Sequence, residues 1–271
     1  MSGRSALRVL ALLVAVAAMA FPLYWAVISS LTPEAHLYQA PALVPTQLTG
    51  EHYAALFGDH AFWRPLRNSL VVAATTTLFC VAVGSLCAYA IARLEFRGKA
   101  PLLTLMLLAS LFPQVTLVNP LFLLLRALHL IDTTAGLVLP YFTFAMPLAV
   151  WFLTATFRAL PLDVEHAALV DGASRLRVLW EIVLPLAWPG LATTCVLTFI
   201  YCWNEFLFAL SFTTDAAHQT VPVAVAFLRG RYQIPWGQVL AATVVTSAPV
   251  VLLVVLFQRR IVGGLAAGAV K

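Results

Sequence analysis

Six long apolar runs dominate this chain of 271 residues and constrain its fold more than any other feature. Each run is long enough to cross a hydrocarbon layer of about 30 Å at about 1.5 Å per residue. A segment that crosses lipid must satisfy its own backbone polar groups, which an α-helix does. The runs lie at about residues 7–30, 70–92, 101–125, 135–157, 186–209 and 238–257. We therefore predict an all-α membrane protein, a single domain with six transmembrane helices.

Composition supports this prediction independently of the runs. Apolar residues make up 62% of the chain, charged residues make up 10%, and the mean hydropathy is +0.94. Soluble domains average about 45–50% apolar and about 25% charged residues. The four cysteines lie inside the predicted spans with no histidine cluster beside them, so we predict no metal site. The first run stays apolar through residues 21–28, past a possible cleavage site, so we interpret it as an uncleaved helix and not a signal peptide.

Lysine and arginine residues predict the orientation, because cytoplasmic loops carry an excess of them. With the N-terminus inside, the cytoplasmic side holds 11 of the 16 basic residues, namely Arg4, Arg8, Arg93, Arg97, Lys99, Arg158, Arg175, Arg177, Arg259, Arg260 and Lys271. We therefore predict an N-in, C-in topology. The net charge of +5 reflects this topology and does not indicate nucleic-acid binding.

A polar segment at about 158–185, which we call the elbow, separates the fourth and fifth runs. Asp163 is a helix-start signal and Gly172 a helix-stop signal, and apolar residues recur at helical spacing after Gly172. We predict a short helix over about 163–170, a turn, and a second amphipathic segment on the membrane face. The predicted orientation makes the elbow cytoplasmic.

The elbow closely resembles the coupling loop of ABC-importer permeases. The signature of that loop is Glu-Ala-Ala, three residues, Gly, nine residues, Ile, one residue and Leu-Pro. The matching residues are Ala167, Ala168, Gly172, Ile182, Leu184 and Pro185. The resemblance implies that these residues, together with Asp171, couple the chain to an ATPase subunit. An ordinary amphipathic loop between two spans is the alternative.

One signature position departs from the family. The signature Glu falls on His166, whereas Glu165 lies one residue earlier. The two side chains project about 100° apart on a helix, so both cannot make the same contact. We predict that Glu165 contacts the ATPase, because a carboxylate is charged at neutral pH whereas imidazole is mostly neutral.

The resemblance covers nearly the whole chain and extends to carbohydrate importers, specifically the smaller permease of the maltose and trehalose type. Segments 67–70, 93–99, 203–206 and 257–271 carry it. It implies the ABC type I importer permease fold in the cytoplasmic membrane of a bacterium or archaeon. The implied partners are a homologous second permease, two ATP-binding-cassette ATPase subunits that bind ATP and Mg, and an extracytoplasmic sugar-binding protein. The chain itself has no phosphate-binding loop or other catalytic motif, so we predict that it is not an enzyme.

Polar residues and prolines inside the runs indicate a translocation pathway. Prolines 113, 120, 140 and 147 free backbone carbonyls, which lipid does not tolerate, so these segments border a water-filled pathway or pack as kinks against other helices. Glu205 should face the bundle interior or an outer vestibule, or else snorkel to the interface. The pathway candidates are Gln114, Asn119, Tyr141, Phe144, Trp203, Asn204 and Glu205. The aromatic side chains have stacking on a sugar and simple packing as alternative roles.

Two further segments are candidate contacts with partner proteins. Arg229, Arg231 and Tyr232 lie in a polar turn on the predicted outer side, where a binding protein docks in the resembling family; a solvated loop is the alternative. The tail at 263–271 is rich in small residues, and the resemblance implies that it enters the ATPase dimer interface. Its candidate contacts are Gly264, Gly268 and Lys271.

A different class of function remains open from the sequence: a secondary transporter or channel subunit that works without an ATPase. Such a protein is expected to carry an inverted repeat and a membrane-buried coupling acid, and the chain shows no clear case of either. An intramembrane enzyme would need paired catalytic groups at one depth, and none stands out. Co-purification of an ATPase distinguishes the importer from both alternatives.

Overall fold

The computed structural model describes residues 3–38, 43–45, 47–58, 61–228 and 234–269. In the first helix it describes side chains from residue 7 onward, and in the last helix it describes them up to residue 258. The chain forms two compact units. The first comprises residues 1–63 and 224–249, and the second comprises residues 64–223 and 250–271. The candidate coupling residues of the elbow belong to the second unit.

Helices account for most of the described residues. They are α1 (Gly3–Ser30), α2 (Glu34–Leu37), α3 (Glu51–Gly58), α4 (Trp63–Arg93), α5 (Lys99–Ser110), α6 (Gln114–Ala127), α7 (Thr134–Arg158), α8 (Asp163–Val170), α9 (Arg175–Val178), a π-helical turn (Leu179–Val183), α10 (Leu184–Leu186), α11 (Trp188–Trp203), α12 (Leu207–Phe212), α13 (Val221–Ala226) and α14 (Trp236–Ala269). The prediction of an all-α membrane protein is confirmed.

Four helical segments are long and apolar enough to cross a bilayer alone: Leu7–Ser30, Trp63–Arg93, Thr134–Arg158 and Trp236–Gln258. Two bent pairs bring the number to six if each pair crosses as one span. These are α5 with α6, bent by 90°, and Arg175–Leu186 with α11, bent by 82°.

Three boundaries differ from the apolar runs. Pro113 precedes α6 and lacks the N–H that a continuing helix needs, so the run at 101–125 is two helices. The run at 186–209 ends its helix at Trp203, before a short break and α12. The backbone of α14 stays helical to Ala269, well beyond the end of the last apolar run. A small-residue tail therefore continues the helix without extending the apolar span.

In the first unit, a buried histidine packs against a glycine at the start of α14. His52 Nε2 lies 2.9 Å from the carbonyl oxygen of Thr32. The Gly237 N–H donates to Glu34 Oε2 at 3.1 Å. A Cβ atom on Gly237 would lie 2.2 Å from the His52 ring, so this contact requires glycine.

In the second unit, α7 and α11 pack closely together and supply much of the core. Tyr141, Phe144 and Trp203 are buried in one hydrophobic cluster with Phe208 of α12. The Phe144 and Phe208 rings lie 5.2 Å apart between centroids, a distance typical of favourable aromatic pairs. The absence of a side chain at Gly190 lets α11 approach α7, as small residues commonly do where membrane helices pack.

A second hydrophobic cluster attaches the elbow to the ends of the long helices. Tyr89 of α4 and Phe157 of α7 pack in this cluster with Val178, Leu179 and Val183 of the elbow. Ala168 and Leu169 of α8 pack against its edge. The elbow is therefore continuous with the core of the second unit and is not a free loop.

Candidate functional site

The first helix of the elbow ends in a glycine-dependent turn. Gly172 has φ of +85°, a conformation that favours glycine. The Ala173 N–H donates to the Ala168 carbonyl at 3.0 Å, and the Gly172 N–H donates to the Leu169 carbonyl at 3.1 Å. These two bonds form a Schellman motif, which satisfies carbonyls at the end of α8. The predicted stop at Asp171-Gly172 is confirmed by this geometry.

The second part of the elbow begins at a serine cap and contains a widened helical turn. Ser174 has an extended backbone, and its hydroxyl accepts from the Arg177 N–H at 3.3 Å, as an N-cap residue does. The π-helical turn at Leu179–Val183 follows and includes Ile182 of the signature. Turns of this type are rare and frequently occur at functional sites.

Glu165 has a partner inside the chain that the sequence does not reveal. Its Oε1 atom lies 2.7 Å from both Nε and Nη2 of Arg93, the last residue of α4. Both side chains are only 6% exposed. Arg93 Nη2 also donates to the carbonyl of Leu160, just beyond α7, at 3.2 Å. The prediction that Glu165 is the coupling contact did not anticipate this arrangement.

The two faces of α8 have different surroundings. Glu165, Ala168 and Leu169, which share one face at spacings of three and four residues, are buried or partly buried. His166 and Val170, four residues apart, share a different face and are exposed. Of the other signature residues, the exposed ones are Ala167, Asp171, Gly172 and Pro185, and the partly buried ones are Ile182 and Leu184.

The three aromatic pathway candidates lie inside the protein. Tyr141 is 1% exposed, Phe144 is 8% exposed and Trp203 is 4% exposed, so none presents an open ring face to a substrate. Phe199 stacks on Trp203 with 5.5 Å between ring centroids. Packing, the alternative role, is the one that this burial supports. Pro140 and Pro147 are likewise buried in α7, whereas Pro113 and Pro120 are exposed.

Glu205 is buried, and its carboxylate accepts hydrogen bonds from two backbone N–H groups. Its Oε1 atom accepts from the Phe208 N–H at 2.8 Å, and its Oε2 atom accepts from the Ala209 N–H at 3.1 Å. Both N–H groups lie in the first turn of α12, where no helical partner exists for them. Glu205 therefore caps α12 from a buried position inside the protein, as the predicted interior position requires, and it does not snorkel to the interface. Its place on the pathway stays a prediction.

Three polar pathway candidates remain accessible in whole or in part. Gln114 is partly buried and donates to the Tyr201 hydroxyl at 2.7 Å. Asn119 is exposed on α6. Asn204 is exposed where α11 ends, and its amide donates to the Ile200 carbonyl at 2.8 Å. These side chains provide amide groups on the surface of the predicted spans.

Side chains from other segments of the second unit hold the loop that follows α12. Asp132, which has φ of +58°, accepts from the N–H groups of Thr214 and Asp215 at 2.6 and 3.0 Å. Partial burial opposes ionisation, yet these bonds and one from the Thr214 hydroxyl lower the pKa of Asp132. Asn68 of α4 donates to the carbonyls of Ala217 and Gln219 in the same loop.

Several predicted contacts cannot be placed. Arg229, Arg231, Tyr232 and Lys271 lie outside the described residues. Gly264 and Gly268 lie on the helical backbone of α14. Among the described residues, no group of three or more His, Cys, Asp or Glu side chains could hold a metal ion, and the four cysteines are free.

Sequence reasoning did not pair Arg93 with Glu165. In the sequence, Arg93 belongs to the basic residues that predict the orientation and to segment 93–99, which carries the resemblance. Its signal in the sequence is weak, since 72 positions separate Arg93 from Glu165. The capping role of Glu205 is equally hidden, because it accepts from backbone N–H groups that every residue except proline supplies.

Comparisons with known proteins identify a family for this chain, and the matched residues include the elbow. Residues 80–266 match the family described as binding-protein-dependent transport system inner membrane component. The trehalose transport system permease protein SugB of Mycobacterium tuberculosis is 43% identical over 252 residues, covering 92% of each chain. The trehalose/maltose transport system permease protein MalG of Thermococcus litoralis is 41% identical, covering 93% of this chain and 91% of its own.

A solved structure has the same fold. It belongs to a bacterial ABC transporter involved in the import of the acidic polysaccharide alginate, and the matching chain gives a TM-score of 0.77 at 21% identity. The match covers 94% of this chain and 95% of that chain. The secondary-transporter alternative gains no support from these relatives. The elbow, the helical fold and the sequence matches together show that the chain belongs to the family of binding-protein-dependent transport system inner membrane components, as a multi-pass permease of the ABC transport type.

Proposed function

We propose that this chain is one of two permease subunits in an ATP-driven importer of a sugar. The observation that carries the proposal is the elbow. Its short helix α8 contains signature residues and ends in a Schellman turn at Gly172, and the face with His166 and Val170 is exposed. The names of the relatives, which refer to trehalose and to trehalose/maltose, support a di- or oligosaccharide as the substrate. The host membrane is the cytoplasmic membrane of a bacterium or archaeon.

The proposed assembly contains a second, homologous permease, two ATPase subunits that bind ATP and Mg, and an extracytoplasmic sugar-binding protein. The ATPase subunits hydrolyse ATP, and this chain supplies no catalytic residue. Closure of the ATPase dimer moves the elbow, which shares a hydrophobic cluster with the ends of α4 and α7. Because packed interiors transmit displacement with little compression, the long helices follow the elbow.

The sugar crosses between the two permeases. Gln114, Asn119 and Asn204 are the candidates on this chain, since exposed amides at membrane depth need polar surroundings. Arg229, Arg231 and Tyr232 are proposed contacts of the binding protein. The tail with Gly264, Gly268 and Lys271 is proposed to reach the ATPase dimer.

Purification and reconstitution test the proposal. The tagged chain, isolated from its own membrane, is expected to bring an ATPase with it. In proteoliposomes with MgATP and the binding protein, the assembly should accumulate labelled trehalose or maltose, and a non-hydrolysable ATP analogue should abolish uptake. Uptake driven by an ion gradient without ATP would contradict the proposal and would favour the alternative of a secondary transporter.

A further inference from the structure

The Arg93 side chain joins three segments of the second unit at one point. Arg93 is the last residue of α4, Leu160 follows the end of α7, and Glu165 lies in the first turn of α8. The guanidinium contacts the Glu165 carboxylate through Nε and Nη2, and it contacts the Leu160 carbonyl through Nη2. The planar, rigid guanidinium fixes the directions of these bonds, which a flexible ammonium does not.

Burial makes the loss of either partner of this contact unfavourable. Each side chain is 6% exposed, so removal of either one leaves the other charge with little access to water. A buried ion pair adds little net stability compared with apolar packing, but loss of one partner is strongly unfavourable. The pair therefore acts chiefly on position: arrangements of α8 that separate the two charges are excluded.

The α8 helix depends on such an anchor. It has eight residues, and isolated helices of that length are not stable in water. In the described part of the chain, Ala168 and Leu169 are the α8 residues that pack against the second hydrophobic cluster, and they provide apolar contact without directional bonds. The Arg93 contact thus supplies the directional restraint at the start of the helix.

From this geometry we infer that Arg93 and Glu165 are positioning residues that fix the direction of α8 on the ends of α4 and α7. Glu165 then serves coupling from inside the chain, and the exposed face with His166 and Val170 is the one that meets the ATPase. The second statement rests on the proposed function, whereas the first concerns the permease alone.

An exchange experiment on the permease without ATPase tests the first statement. The full-length chain in nanodiscs is compared with R93A, E165A and the charge reversal R93E/E165R by amide hydrogen exchange. Each single substitution should speed exchange in residues 163–170 by about 100-fold or more, and the reversal should recover much of the protection. E165Q and R93K, which keep the side-chain size, should give smaller effects of the same sign. Unchanged exchange in R93A and E165A overturns the inference.

The elbow contains a matched control pair. Arg177 and Glu181 lie 2.9 Å apart, but their side chains are 65% and 60% exposed. Exposed pairs of this spacing contribute little, so R177A and E181A should change exchange in the same segment by no more than about threefold. Effects as large as those of R93A would show that any lost charge loosens the elbow, which contradicts a specific role for the buried pair.

Transport by the reconstituted assembly tests the second statement. The number of trehalose molecules accumulated per ATP hydrolysed should fall in R93A and E165A alike and recover in R93E/E165R. A mutation that merely lowered the amount of assembly would leave this ratio unchanged. If E165A loses coupling while R93A keeps it, Glu165 acts on the partner and the inference is wrong. If the wild-type assembly shows no ATP-dependent uptake, the proposed function fails, and the exchange measurement still decides the positioning role.

Discussion

Replacement of Gly190 by alanine should separate two of the central helices of the second unit. A Cβ atom at Gly190 of α11 would lie 2.3 Å from Cγ2 and 2.4 Å from Oγ1 of Thr156 in α7. These distances are far below van der Waals contact, and helix backbones cannot rotate away independently of their neighbours. Overpacking of this kind costs about 1–3 kcal/mol. We expect the free energy of unfolding of Gly190→Ala, measured in detergent with a denaturant, to fall by an amount in this range.

A second substitution tests the origin of that loss. The same Cβ atom would lie 2.9 Å from the Thr156 Cβ, so Thr156→Ala removes two of the three close contacts and leaves one that still requires a small shift of the helices. The double variant Gly190→Ala/Thr156→Ala should therefore recover part of the stability, and a double-mutant cycle should give a coupling energy of about 0.5–3 kcal/mol.

Gly84 of α4 provides a matched control against the same helix. A Cβ atom there would make ordinary contacts, 3.4 Å from Leu153 Cδ1 and 3.7 Å from Ala149 Cβ. Alanine also forms helices better than glycine by about 1 kcal/mol, so Gly84→Ala should be neutral or stabilising. Equal stability of Gly190→Ala and the wild type, or equal losses at Gly84 and Gly190, would refute the reasoning.

Four other predictions concern the elbow, the loops and the topology. Gly172 has φ of +85°, so Gly172→Val should lower the number of sugar molecules transported per ATP without preventing membrane insertion. Asparagine tolerates this conformation better, so Gly172→Asn should retain more coupling. Equal ratios for both variants would contradict a role of the turn in coupling. Glu205→Ala leaves two N–H groups of α12 without their acceptor, so the unfolding midpoint in detergent should fall while the KM for sugar stays constant. A changed KM with normal stability would instead indicate a direct pathway role for Glu205. The pKa of Asp132 is lowered in the folded chain, so the ionised carboxylate stabilises the fold at neutral pH, and this stabilisation is lost as the pH falls through that pKa. Asp132→Asn should therefore make the unfolding free energy less dependent on pH in the acid range. An unaltered pH profile would contradict this expectation. Single cysteines at the exposed residues Leu176 and Ala216, in a background without the native four, should react with an impermeant reagent from opposite sides of the membrane, and labelling of both from one side is incompatible with the predicted topology.

The elbow shows where local sequence signals suffice. Gly172 ends α8 because only a residue that tolerates positive φ completes the Schellman turn, and this requirement is local to a few residues. The helix over 163–170 was predicted with the bounds that the structure has, since its start signal and its stop are adjacent to it in the chain. The break at residues 204–206 was missed, because apolar residues continue on both sides of it and only the capping by Glu205 reveals the new helix.

The amino-acid sequence by itself determined the class of protein, the four helices that can cross a bilayer alone and the turn of the elbow. These follow from lipid, which admits only internally bonded backbone, and from conformational preferences of neighbouring residues. The tertiary structure alone decided which face of each helix is buried and which charges meet. Arg93 and Glu165 are 72 residues apart, and no periodicity in the sequence relates them. Their contact, like the close approach at Gly190, exists only because packing brings the ends and faces of distant helices together.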